Sequence, residues 1–186
     1  LDYLEEHEEV SDVLFTGGDP MIMKTKMLGQ YLEPFKAPNF LPHVKNLRIG
    51  TRALTFWPQR FTTDADADEL LALLREVKEV GGRHIAVMSH LGHVRELSTD
   101  KVRHAIHRLK QEAGVIIRSQ SPVMRGINDD AKARGTGARG RGWQRLSHAS
   151  PTLPAGVGRQ VARGGAARHR PVLHVHGARH GRAGLL

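Results

Sequence analysis

The stretch Asp64-Ala65-Asp66-Ala67-Asp68-Glu69-Leu70-Leu71-Ala72-Leu73-Leu74-Arg75-Glu76-Val77-Lys78-Glu79-Val80-Gly81-Gly82-Arg83-His84-Ile85-Ala86-Val87-Met88-Ser89 contains a helix, a stop and a strand in that order. Leu70, Leu71, Leu74 and Val77 recur at three- and four-residue steps, the period of a one-sided helix, which predicts a helix over Ala65 to Val80. Asp64, Asp66 and Asp68 load its N-terminal end, where the helix dipole favours negative charge, and Gly81-Gly82 ends it. The run from His84 to Ser89 is then the strand that a helix of this kind feeds.

Working outward, three more short aliphatic runs have the same character: Asp12 to Thr16, Asn46 to Thr51 and Val115 to Gln120. A second amphipathic pattern, Val102, Ala105, Ile106, Leu109 and Ala113, starts from Thr99 and stops at Gly114 just before the last of these strands. Strands starting roughly 30–40 residues apart, with helical stretches between them, predict an α/β fold of about four parallel strands with crossover helices. Ligand sites in such sheets lie at the C-terminal ends of the strands, so the loops that begin at Thr16, Gly50, Ser89 and Gln120 should share one face.

The chain has 186 residues, enough for one ordinary domain, and a formal charge of +9. That charge is not evenly spread. Residues 131–186 hold eleven Lys and Arg and no acid, which leaves seventeen bases against nineteen acids in residues 1–130. There are no cysteines, so no disulfide and no thiolate-held metal or cluster can form within the chain. No apolar run approaches the ~18 residues of a membrane span, and the N-terminus lacks the pattern of a signal peptide; the expectation is a cytoplasmic protein.

Three of those four strand-end loops carry residues suited to chemistry. Val13-Leu14-Phe15-Thr16-Gly17-Gly18-Asp19-Pro20 ends a strand in two glycines, which let backbone approach a ligand, and a carboxylate that can accept from an ammonium. Taken alone it is more readily a tight turn after a buried strand. It is followed in order by Leu47-Arg48-Ile49-Gly50-Thr51-Arg52, Trp57-Pro58-Gln59-Arg60-Phe61-Thr62, Ser89-His90-Leu91-Gly92-His93-Val94-Arg95-Glu96-Leu97 and Gln120-Ser121-Pro122-Val123-Met124-Arg125-Gly126-Ile127-Asn128-Asp129.

Together these five motifs resemble the lysine 2,3-aminomutase family of radical S-adenosylmethionine enzymes over roughly Asp12 to Asp130. The resemblance implies a partial (β/α)6 barrel, and an isomerase that moves an amino group between adjacent carbons of lysine or a lysine-like substrate, free or borne on a protein. It also implies S-adenosylmethionine, a 4Fe–4S cluster and pyridoxal phosphate as cofactors, with the protein supplying position and electrostatics. By that resemblance Gly17, Gly18 and Asp19 line the methionyl end of S-adenosylmethionine, Thr51, His90 and Gln120 add further contacts, and Asp129 holds a substrate ammonium.

Departures from the family set the expectation for this chain. The family's cluster sits on a Cys-x-x-x-Cys-x-x-Cys loop ahead of the Gly-Gly-Asp strand, which begins here only a dozen residues from Leu1. The lysine that forms the Schiff base lies downstream in the family, and Lys132 is the only lysine after Asp130. No residue is therefore assigned as catalytic and none as a metal ligand, and the chain alone is expected to be an inactive fragment. Four strands of an open barrel also leave unpaired edges, which predicts poor solubility.

Residues 131–186 read as a separate segment, rich in Arg and Gly and without a durable period. Such composition suits an irregular or disordered tail, or a basic arm on a non-catalytic βα module that binds nucleic acid. A frameshift explains it better. Regrouping the codons of Pro171 to Leu186 by one base permits a sequence that resembles the family's own continuation, though residues 130–171 are then some twenty residues too long. On this reading the tail carries no specific nucleic-acid function.

Simpler readings exist for other residues. His90 and His93, three apart, are more readily loop residues than a metal pair. Arg48, Arg52 and Arg60 could grip a phosphate or equally be solvated or paired with Asp12 or Glu69, and Phe56 and Trp57 suit core or interface packing better than a stacking platform.

Overall fold

The computed structural model describes residues 1–129 and the backbone of residues 172–176. Four parallel strands stand where the aliphatic runs predicted them: β1 (Asp12–Thr16), β2 (Asn46–Thr51), β3 (His84–His90) and β4 (Ile116–Gln120). Each strand pairs with the next in chain order. The fold is α/β, with helices α1 (Asp2–Glu6), α2 (Thr25–Leu32), α3 (Ala53–Phe56), α4 (Ala67–Glu79) and α5 (Asp100–Gln111). Strands added in sequence through crossovers of one hand keep their helices on one face, as in a barrel wall.

A fifth strand, β5 (Val172–His176), pairs parallel with the outer edge of β1, Asp12 facing Val172 and Thr16 facing His176. The sequence reading expected no strand in this segment. Val172, Leu173 and Val175 are residues that favour strands, and the edge of β1 offered them unpaired backbone. The edge of β4 has no partner strand among the described residues. The proposed change of reading frame otherwise falls on residues outside those described.

The core lies between the helices and one face of the sheet. Val13, Leu47, Ile49, Ile85 and Val87 are at most 2% exposed, and Leu28, Leu32, Leu70, Leu74, Val77, Val102, Ala105 and Leu109 pack over them from α2, α4 and α5. This is why the helical period of α4 was so legible: its apolar stripe is what covers the strands. Its two terminal glycines serve different needs. Gly82 adopts a left-handed φ of 65°, whereas a Cβ on Gly81 would lie 2.0 Å from the carbonyl oxygen of Phe35 and 2.5 Å from that of Val77.

Two buried arginines tie loops to this frame. Arg60 donates from Nε to the carbonyl of Met21 (2.9 Å), from Nη1 to Asp66 (2.8 Å), and from Nη2 to the carbonyl of Met23 (3.0 Å) and the hydroxyl of Thr25 (3.1 Å). Asp66 also accepts the Thr25 backbone N–H at 2.7 Å, so a residue read as dipole charge is a joint between three segments. That backbone donor foremost, and the charge of Arg60 beside it, hold the Asp66 carboxyl below its ordinary value. Arg83, 3% exposed, donates to the carbonyls of Phe35, Ala37, Phe40, Leu41 and Val44, wrapping the loop that leads to β2. Burial lowers its pKa, and five carbonyl acceptors compensate for the missing carboxylate.

Candidate functional site

Alternation along a strand sends neighbouring side chains to opposite faces, so the residues between the core positions point away from the helices. At the C-terminal ends of β1 to β4 these residues enclose a cavity of about 330 Å³. Leu14, Thr16 and Gly50 form its floor; Gly18 and Asp19 come from the loop after β1, Thr51 and Arg52 from the end of β2, His90 from β3 and Gln120 from β4. The register explains the convergence: Gly50 is opposite Met88, Thr51 opposite Ser89, and His90 opposite Gln120. Gly17 makes the turn with φ of 94°, and Gly18 follows at 69° with open space where a Cβ would stand. Asp129 does not line this cavity.

Asp19 organises the near wall. Its Oδ1 accepts from the backbone N–H of Met21 (3.0 Å) and the hydroxyl of Thr51 (2.7 Å), and its Oδ2 accepts from the backbone N–H of Arg52 (2.7 Å). The Thr51 hydroxyl in turn accepts from Ala53 N–H at 2.9 Å. Three of the carboxylate's four lone-pair directions are thus taken by the chain itself, and Thr51, 2% exposed, has no donor left for a ligand. Thr51 acts through Asp19, pinning the end of β2 to the loop after β1. The far wall is different in kind. The side chains of His90 and Gln120 have no hydrogen-bond partner among the described residues and are available to a ligand.

The loops behind that far wall are joined by groups the sequence did not single out. Asn128, 1% exposed, donates from Nδ2 to the carbonyls of Gly92 (2.7 Å) and Pro122 (2.8 Å), and accepts the Met124 N–H at 2.6 Å. Oε1 of Glu96 accepts from Gly92 and His93 N–H, both at 2.9 Å. The spacing of Glu96 three residues after His93 is a capping-box signal that could have marked it; nothing local marks Asn128. His93 Nδ1 accepts from Arg95 N–H at 3.1 Å, so it opens a short 3-10 turn and does not pair with His90.

Of the three arginines left open, Arg48 pairs with Asp12 (2.6 Å), Arg60 is buried as described, and Arg52 lines the cavity with its guanidinium 5.0 Å from the centre of the Phe56 ring. Phe56 and Trp57 are outside the core, at 73% and 37% exposed. With Ile22 and Ala53 they line a neighbouring apolar cavity of about 370 Å³ that shares Asp19 and Arg52 with the first.

Comparison with known proteins bears on this arrangement. A protein of Aquifex aeolicus (strain VF5) is 38% identical over 130 residues, which is 70% of this chain and 33% of the relative. The L-lysine 2,3-aminomutase of Haemophilus influenzae is 33% identical over 133 residues, 71% of this chain and 35% of the relative. Over those residues the chain is a homologue of the lysine 2,3-aminomutase family. The glutamate 2,3-aminomutase of Clostridioides difficile is 35% identical over 130 residues, 70% of this chain and 27% of that enzyme. The chain spans about a third of the length of the curated relatives it matches. No protein-family model and no solved structure matches it.

The named relatives are 2,3-aminomutases, which are isomerases. Among the described residues no group of three metal-ligating side chains converges, and no helix is long and apolar enough to cross a membrane.

Proposed function

We propose that this aminomutase homologue supplies the strand-end wall that seats the methionyl end of S-adenosylmethionine in a radical 2,3-aminomutase acting on lysine or a lysine-like substrate. The observation that carries this is the single cavity in which Gly18, Asp19, Thr51, His90 and Gln120, drawn from four separate strands, come together. The donor set fits an amino-acid end. Backbone around Gly17 and Gly18 is accessible, the last lone pair of Asp19 can accept from an ammonium, and Gln120 and His90 offer both donors and acceptors. Arg52 is the cation on the rim. Asp129 is the carboxylate proposed for a substrate ammonium.

S-adenosylmethionine, when bound, would supply radical chemistry only on receiving one electron from a donor outside this chain, which cleaves a sulfonium carbon–sulfur bond and releases methionine as the thioether. The chain's own residues bind and orient it: Asp19 fixes the loop, Thr51 fixes Asp19, and His90 with Gln120 close the far side. A cluster does not fit this chain, which has no cysteine in 186 residues, and no residue is assigned to a Schiff base with pyridoxal phosphate; no step is drawn through either group. Titration calorimetry of the full chain with S-adenosylmethionine tests the reading. Saturable binding weakened about tenfold by His90→Ala or Gln120→Ala is expected, and binding indifferent to both would overturn it. Incubation with lysine or glutamate should yield no 2,3-amino isomer, and its appearance would overturn the expected inactivity.

A further inference from the structure

A buried amide is unfavourable unless its polar atoms find partners, and Asn128 finds three. Two of its bonds, to Met124 and Pro122, stay within its own loop after β4. The third crosses to Gly92 in the loop after β3. Around that crossing the same two loops are joined again, by the Ser121 hydroxyl on the carbonyl of Leu91 and by Leu91 N–H on the carbonyl of Gln120. Glu96 grips Gly92 from the other side, so Gly92 is held at both its N–H and its carbonyl. A side chain at position 92 would crowd this contact, since a Cβ there would be 3.0 Å from Glu96 Oε1.

His90 and Gln120 leave their strands directly into these two loops, and among the described residues no hydrogen bond of their own side chains fixes where they point. We propose that Asn128 is a positioning residue: it locks the β3 and β4 loops into one body, so that His90 and Gln120 face the cavity at a set separation, without itself touching the ligand. The ligand's identity rests on the reading given above; the locking does not.

Asn128→Asp is the informative variant, because it is nearly isosteric and keeps the acceptor for Met124 N–H while turning the donor into a second acceptor facing two carbonyl oxygens. In the full chain, hydrogen exchange at the Gly92, His93 and Met124 amides should speed up at least tenfold in this variant, with the amides of β1 and β2 unchanged. Modification of His90 by diethylpyrocarbonate should also accelerate, and S-adenosylmethionine affinity should fall about tenfold, with little further loss on adding His90→Ala. Equal loss of protection across the whole sheet, or unlocked loops with His90 reactivity and affinity unchanged, would overturn the proposal. If the unsubstituted chain does not bind S-adenosylmethionine, the ligand reading fails, and the exchange and His90 reactivity still decide the locking. Should the variant not fold, the unsubstituted chain decides it: the Gly92, His93 and Met124 amides must open together, and protection differing by more than about tenfold among them refutes a single locked body.

Discussion

The two faces of the sheet are built from alternate residues of the same four strands, yet they differ in almost everything else. Toward the helices stand Val13, Leu47, Ile49, Ile85 and Val87, sealed from solvent; on the other face Leu14, Thr16, Arg48, Met88 and His90 are only partly covered, and Arg118 and Gln120 are exposed. A parallel sheet is ordinarily covered on both sides. Here hydrophobic burial, the main source of stability, is concentrated on one face, and the cavity opens from the other. Substitutions on the first face should therefore act on folding, and those on the second on binding.

The largest expected effect is at Gly81, where a methyl group would overlap two backbone carbonyls of the helical layer. Gly81→Ala should cost more than ~3 kcal/mol of unfolding free energy, because backbone on both sides cannot yield as a side chain does. Urea titration by circular dichroism checks it; a midpoint within error of the parent would mean that the helical layer tolerates displacement.

Next comes a direct comparison of the faces. Leu74→Ala removes a fully buried side chain and should cost ~2–5 kcal/mol, while Met88→Ala on the partly covered face should cost under ~1.5 kcal/mol. Equal costs by the same urea titration would erase the distinction.

A third prediction concerns the joint that fastens α4 to the loop before α2. Asp66 has a folded pKa below its ordinary 3.8, so its bonds contribute stability above that value, and the contribution is lost as pH falls through the lowered one. Stability should therefore drop as pH falls below about 4. Asp66→Asn should lose ~2 kcal/mol at pH 7 and show a flatter dependence in that range. Thermal melts from pH 7 to pH 3 measure it, and parallel slopes for parent and variant would exclude Asp66 as a source.

The smallest effect belongs to the Arg48–Asp12 pair on the uncovered face, whose side chains keep about a quarter of their surface in water. Arg48→Met should change stability by less than ~1 kcal/mol in either direction. A loss comparable to that of Leu74→Ala would show that the uncovered face carries folding energy after all.

The strands and the two long helices were legible because their patterns repeat: aliphatic runs for β1 to β4, three- and four-residue steps for α4 and α5. β5 was not read, since five residues in a Gly- and Arg-rich segment hold no period long enough to register. The family resemblance names Gly17, Gly18, Asp19, Thr51, His90, Gln120 and Asp129; all of these but Gly17 and Asp129 line the one cavity at the strand ends. That Thr51 and Asp19 bond chiefly to each other and to backbone was not visible, because the partner of a hydroxyl lies 32 positions away in the chain. The same holds for Arg60, Arg83 and Asn128, whose roles come from carbonyls brought to them by the fold. Phe56 and Trp57 show the converse, two large aromatic residues that composition would place inside and the short helix α3 leaves out.

The order of residues along the chain was enough to determine the α/β class, the helix-strand alternation and which loops gather at one end, because hydrophobic period and strand-end position are local properties. Which of those loop residues face a ligand and which hold their neighbours was decided only by tertiary structure, since a hydrogen-bonding group takes its role from the partner that folding places within three ångströms of it.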